Sequence, residues 1–321
     1  MKKKLAVITP FFQQADKYLH LPAIRKGQSF EMWSLSDCIP WMTVGLAESV
    51  VIVTLNLCTI IVFIRNRNLR KRSTYLLINL AVIDLLVGGI AVYVLFYWFG
   101  VICNVWKGHV NVDLAGYIAT TVLSFFPGVS LVNISIIALE RVYATFRPLR
   151  HRVLKKWVYG LLIAFVWVVT YVWGSVPGSD EVHILYIRIS FVLFFLFITC
   201  VSYSSIFIKV RCGAQPQHHR AARRERKLTM TLLIVTVVSL LLYLPASMFA
   251  FLVYSDKFEM SSSAGINLQC ALWVLLYANS LVNPILYAIR MPQYRSAVAA
   301  LFCKRPTFRE RRVLDLSLRN M

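Results

Sequence analysis

Several charged residues lie inside or beside segments otherwise built from Leu, Val, Ile and Phe. They are Asp84 in the stretch NLAVIDLLVG, Glu140 and Arg141 at the end of a long apolar run, Arg188 early in another, and Glu225 near the start of a further one. A charge at the centre of a membrane helix costs about 2.5–3.5 kcal/mol or more, so each such group is a candidate for function. Asn56, Ser130, Asn279, Ser280 and Asn283 add uncharged polar groups at comparable depth. The spacings of Asn279, Ser280 and Asn283 put them on one side of a helix, where they can face Asp84. A carboxylate among hydroxyl and amide oxygens in a dry bundle either takes up a proton or pairs with a small hard cation such as Na⁺. The same cluster can equally do no more than join helices by hydrogen bonds. Glu140 and Arg141 are neighbours about 100° apart on a helix, so neither is ideally placed for the other and the pair alone is a weak latch.

The elements that must position these groups follow from composition. The chain has 321 residues, 58% hydrophobic and 15% charged, with a formal net charge of +21. That is membrane-protein composition. The basic residues sit in short blocks between apolar runs rather than along one face, which argues against a nucleic-acid partner. A hydrocarbon core of about 30 Å needs roughly 20 apolar residues per helix. Seven such runs occur, near 39–64, 75–99, 114–143, 157–176, 184–210, 228–254 and 264–289. The expected fold is therefore all-α, a polytopic bundle of seven membrane-spanning helices contacting lipid.

Lys and Arg crowd the segments after the first, third and fifth runs, as in Arg65 to Arg72, Arg147 to Lys156 and Lys209 to Lys227, whereas the opposite loops hold essentially Lys107 and Lys257. By the positive-inside rule the N-terminus is outside and the C-terminus cytoplasmic. The expected organisation is an extracellular tail over 1–38, the bundle over 39–290, a membrane-surface helix over 291–303 and a cytoplasmic tail over 304–321. The start MKKKLAVITPFF is broken by Pro10 and reads as an uncleaved tail. The sequon at Asn133 falls inside the third run and is a chance match. His218 and His219 lack further ligands and read as solvated loop residues. Tyr294, Val298, Leu301 and Phe302 recur at three- and four-residue spacing beside Arg290, Arg295, Lys304 and Arg305, as in a helix lying on the inner leaflet. Cys303 at its end is either a palmitoylation site or a plain thiol. Pro245 and Pro284 should kink their helices, and Pro127 with Gly128 should loosen the middle of the third.

Asn56, LAVID with Asp84, ERV with Arg141, Trp167, Tyr203, Pro245 and NPILY from Asn283 through Pro284 to Tyr287 fall in this order, each on its own run. In that order the chain resembles the rhodopsin-like class of G-protein-coupled receptors over roughly residues 45 to 303. The resemblance implies that Arg141 is restrained at rest by Glu140 and by Glu225, twenty residues before Pro245, and is released to meet a heterotrimeric G protein. It implies that Tyr203 and Tyr287 move toward that arginine on activation and that Leu149 docks into the G protein. It also matches Asp84, Ser130, Asn279, Ser280 and Asn283 to the class's allosteric Na⁺ pocket, with no other cofactor required.

The departures constrain the ligand. Gly116 stands where most of the class has a disulfide cysteine, the second outer loop is short, and Phe195 replaces the usual proline of the fifth helix. These features are similar to the melanocortin receptors, but Val94, Gly116 and Thr120 occupy the places of their carboxylates. Leu123 stands where amine receptors carry an aspartate, which disfavours a protonated amine. The seventh run has no lysine, which rules out a retinal Schiff base. The expected ligand site, for an extracellular ligand of unassigned class, is lined by Leu123, Phe126, Arg188, Tyr243, Phe249, Trp273 and Tyr277. Arg188 either meets an acidic ligand group or lies at the headgroup boundary. Cys38, Cys103 and Cys270 lie toward the oxidising outer side. A Cys38–Cys270 bridge is the preferred pairing and Cys38–Cys103 the alternative, because sequence does not fix connectivity. The reading is a plasma-membrane receptor rather than an enzyme. A small-molecule or ion transporter and a non-signalling receptor-like protein are the rivals.

Overall fold

A backbone crossing hydrocarbon must satisfy its N–H and C=O groups internally, and in the computed structural model every extended element among the described residues is an α-helix. The structure describes residues 35–66, 69, 73–102, 112–174, 181–212 and 263–302, together with residues between 230 and 252. The helices are α1 (Leu35–Arg65), α2 (Thr74–Ile102), α3 (Val112–Phe146), α4 (Pro148–Val153), α5 (Lys156–Gly174) and α6 (Glu181–Cys212). A shorter apolar helix, α7 (Val237–Ala246), lies within the sixth run. α8 (Ser263–Arg290) and α9 (Pro292–Phe302) follow. Six of these contain a stretch long and apolar enough to cross a membrane, and α7 supplies part of the seventh. The first of the described helices begins at Leu35 and includes Cys38.

The third run is the hub. Within α3, 67% of its most apolar stretch is buried, against 17% for that of α5, so α3 is the post around which α2, α5 and α6 pack. Lipid is as apolar as leucine, so helices associate through close approach and polar contacts rather than through hydrophobic drive. Gly128 shows the first device. A Cβ there would stand 2.6 Å from Cζ3 of Trp173, so the glycine admits the indole of α5. Pro127 and Gly128 were expected to loosen this helix, yet α3 runs through them. The glycine's role is room for a neighbour.

The second device is a set of buried hydrogen bonds. Asn133 accepts from Asn79 Nδ2 (2.9 Å) and donates to the Leu76 carbonyl (3.3 Å), while Trp167 Nε1 donates to Asn79 Oδ1 (3.2 Å). This knot joins α2, α3 and α5, and it buries the asparagine of the sequon. Ser135 lies 2.8 Å from Thr199 and donates to the Phe195 carbonyl (3.0 Å), joining α3 to α6. Trp41 Nε1 donates to Asn267 Oδ1 (2.8 Å) and Asn56 Nδ2 to the Ser280 carbonyl (3.1 Å), fixing α1 against α8 in parallel register. Each such bond contributes about 0.6 to 2 kcal/mol.

Gly128→Ala should destabilise the detergent-solubilised protein by about 1–3 kcal/mol through overpacking, with partial recovery when Trp173→Leu is added. A thermal-unfolding series checks this, and an unchanged midpoint for Gly128→Ala contradicts it.

Candidate functional site

At the inner end of α3, Glu140 and Arg141 are both buried. The expectation of a weak latch is corrected here, because Arg141 Nε and Nη2 both lie 2.5 Å from Glu140 Oε2. The long arginine side chain folds back along the helix surface and spans the 100° that separates the two Cα positions. The other carboxylate oxygen is also occupied. His151 Nε2 lies 2.6 Å from Oε1, and Tyr159 Oη donates to the same oxygen at 3.2 Å. Tyr159 Oη is also 3.2 Å from His151 Nε2. One carboxylate thus joins α3, α4 and α5.

The sequence places His151 there by a local mechanism. Pro148 cannot continue α3 but suits the first turn of a new helix, where its missing N–H costs nothing. The Arg147 amide closes α3 on the Tyr143 carbonyl (2.9 Å), and the His151 amide bonds back to the Arg147 carbonyl (3.0 Å). The resulting short α4 turns His151 inward and leaves Leu149 76% exposed. Glu225, the expected second partner of this pair, lies outside the described residues. Tyr203 is buried in the core on α6. Tyr287 packs against Phe63 and Tyr294 with ring centroids 5.9 and 6.0 Å away, and its hydroxyl has no hydrogen-bond partner among the described residues. Tyr294 in turn lies 2.7 Å from Thr59 Oγ1, which ties the surface helix α9 to α1.

Midway along the bundle Asp84 is fully buried. Ser280 Oγ donates to its Oδ1 (2.9 Å) and Asn283 Nδ2 to its Oδ2 (2.8 Å). Among the described residues Ser130 Oγ, Asn279 Oδ1 and Asn283 Oδ1 are buried without hydrogen-bond partners. Pro284 lies within α8 immediately after this cluster. The side-chain oxygens of Asp84, Ser280 and Asn283 brought together here are ligands of the kind a small hard cation takes.

Toward the outer half, Tyr277 clusters with Ile52, Val87 and Ala91, with Phe126 and Trp273 packed beside them. Tyr243 is buried on α7 and Phe249 half-buried beyond it. The side chains of Leu123 and Arg188 lie outside those described. A cavity of about 300 Å³ lies elsewhere, between α6 and α7, lined by residues including Cys200, Tyr203, Phe207 and Val237. The expected Cys38–Cys270 bridge is not formed. Cys270 is a buried free thiol, whereas Cys38 is disulfide-bonded to a partner outside the described residues. The register explains why. With Trp41 level with Asn267, Cys38 lies three residues outward and Cys270 three residues inward, an axial offset of about 9 Å, beyond the roughly 7 Å a disulfide spans. Cys303 also lies outside the described residues.

A family model described as a seven-transmembrane receptor of the rhodopsin family matches residues 55–180 and 177–287. The chain belongs to that family. It is 31% identical to the histamine H2 receptor of Rattus norvegicus over 84% of this chain and 83% of that protein. It is 23% identical to the green-sensitive opsin of Gallus gallus over 78% and 76%, and 28% identical to the human histamine H2 receptor over 75% and 73%. The protein is therefore a multi-pass plasma-membrane G-protein-coupled receptor and not an enzyme, and the transporter and non-signalling readings are not favoured.

Two of the receptor's inner-end residues escaped the sequence reading. His151 looked like one more basic residue in an arginine-rich segment, and Tyr159 like packing in an apolar run. Removing the imidazole should leave Oε1 of Glu140 held by Tyr159 alone and detach α4 from α3. His151→Ala is expected to raise ligand-independent G-protein activation, about fivefold for each ~1 kcal/mol withdrawn from the resting state. Basal nucleotide exchange at matched surface expression checks this, and a basal rate at or below that of the parent contradicts it.

Proposed function

We propose that the receptor works as a two-state bundle with its N-terminus outside and its C-terminus in the cytoplasm. A ligand held among Phe126, Tyr243, Phe249, Trp273 and Tyr277, with Leu123 and Arg188 at the mouth, binds one state more tightly. That difference biases α7 and α8 through their prolines and opens a cleft beneath Arg141. In the resting state Glu140 holds Arg141, with Glu225 as a further restraint. In the active state Arg141 is released, Tyr203 and Tyr287 move toward it, and Leu149 enters the G protein. A palmitoyl chain on Cys303 would hold α9 at the inner leaflet. The observation that carries this reading is the pairing of a buried, fully engaged Glu140–Arg141 lock with a neighbouring Leu149 left exposed. Relatives named for histamine and relatives named as opsins match over similar lengths, so likeness alone assigns no ligand.

Asp84, Ser130, Asn279, Ser280 and Asn283 would hold Na⁺, and the ion's contribution would be charge compensation of the carboxylate between α2, α3 and α8. Asp84 would anchor it, and the unpartnered oxygens of Ser130 and Asn279 support the assignment. Inward movement of α8 would dismantle the donor set, so the ion favours the resting state.

Arg141→Ala at matched surface expression should abolish agonist-driven G-protein activation while leaving ligand binding in place. Wild-type signalling by the variant contradicts the mechanism. Na⁺ should weaken agonist binding severalfold in the parent and have no effect in Asp84→Ala. Equal sodium sensitivity of the two proteins in a competition assay removes the ion from the account.

A further inference from the structure

Glu48 stands outside everything derived so far. It lies in the outer half of α1, its Oε2 is enclosed by protein, and that oxygen has no hydrogen-bond partner. Across the α1–α8 interface, the hydroxyl of Tyr277 is likewise buried and has no hydrogen-bond partner among the described residues, on a residue only 6% exposed. The register of the two helices puts Glu48 level with Trp273, one turn outward of Tyr277. Trp41 meets Asn267 at the outer end and Asn56 meets Ser280 farther in, and Glu48 falls between them, seven residues below Trp41 on the same face of α1. Ile52, one turn inward from Glu48 on that face, already packs in the Tyr277 cluster, with Trp273 beside it.

An enclosed carboxylate oxygen with no donor is costly in a membrane bundle, and such groups mark ligand or ion paths. Among the described residues no Lys, Arg or His pairs with Glu48. The surroundings supply what an organic cation needs: a negative charge, a phenolic oxygen able to accept a hydrogen bond, and the π-faces of Trp273 and Tyr277. The missing aspartate at Leu123 disfavours an amine only if the counter-ion must come from the third helix, and here an acid is available from the first.

We propose that Glu48 is the counter-ion for a protonated amine of the extracellular ligand, with the ammonium seated between Glu48 and Tyr277 against the Trp273 ring. The proposal rests on the reading that the ligand occupies the outer half of the bundle. It moves the anchoring charge to the α1–α8 side of that half.

The test uses the full-length receptor in lipid nanodiscs and reads its thermal unfolding with 2-phenylethylammonium as probe and 2-phenylethanol, its neutral counterpart, as control. The ammonium is expected to raise the unfolding midpoint of the parent and of Arg141→Ala, and the alcohol is not. In the near-isosteric Glu48→Gln the half-saturating ammonium concentration should rise about tenfold or more, and Tyr277→Phe should raise it by a smaller factor. An equal ammonium response in parent and Glu48→Gln overturns the proposal. No response in the folded parent overturns it as well. If Glu48→Gln does not fold, Tyr277→Phe with an unchanged half-saturating concentration overturns it. Because Arg141→Ala keeps its binding site, failure here is distinguishable from failure of the signalling mechanism.

Discussion

The arrangement of helices around the end of α3 depends on how one buried carboxylate is satisfied. A charge taken out of water is tolerated only when paired and hydrogen-bonded, and Glu140 meets that condition through Arg141, His151 and Tyr159. The partners come from different helices, so the electrostatic requirement of one side chain becomes a mechanical joint between α3, α4 and α5. In the mechanism proposed above, Arg141 leaves this joint when a G protein offers its guanidinium another partner, which would make the paired charges at the helix end the switch.

The rest of the bundle keeps the joint in register. The Asn79–Asn133–Trp167 knot and the Ser135–Thr199 contact hold α3 against its neighbours at mid-depth. The Asp84 bonds to Ser280 and Asn283 hold α2 against α8. Tyr287, Phe63 and Tyr294 clamp the inner end of α8 to α1 and α9. A bundle in lipid gains little from burying apolar area, so these few polar and aromatic contacts carry a large share of its specificity. Among the described residues, buried oxygens of Ser130, Asn279 and Asn283 have no hydrogen-bond partner.

The seven spans were legible because hydropathy is additive along a run, and their limits agree with the observed helices within a few residues where both are described. The Asp84 cluster was legible too, since Ser280 and Asn283 share one helix face by simple spacing. Interactions that depend on side-chain reach or on packing between runs were not. The direct Arg141–Glu140 contact arises from a flexible side chain crossing an angle that Cα geometry alone treats as unfavourable. His151 becomes a partner only once Pro148 has started a new helix. Asn133 carried the signature of a glycosylation site and turned out to be structural glue. Cys270 was excluded from a bridge by an axial offset that only the α1–α8 register reveals. Glu48 was hidden inside an apolar run until α8 closed over it.

The central claim is that the charge on Glu140 restrains the receptor in its resting state. Glu140→Gln keeps the shape of the side chain and removes the charge, leaving Arg141 with a neutral acceptor in place of its ion pair. The direct measurement is ligand-free nucleotide exchange on a heterotrimeric G protein, with parent and variant receptors at matched surface density. The account predicts a higher basal rate for Glu140→Gln. A folded, surface-expressed variant with basal exchange equal to or below that of the parent would contradict it.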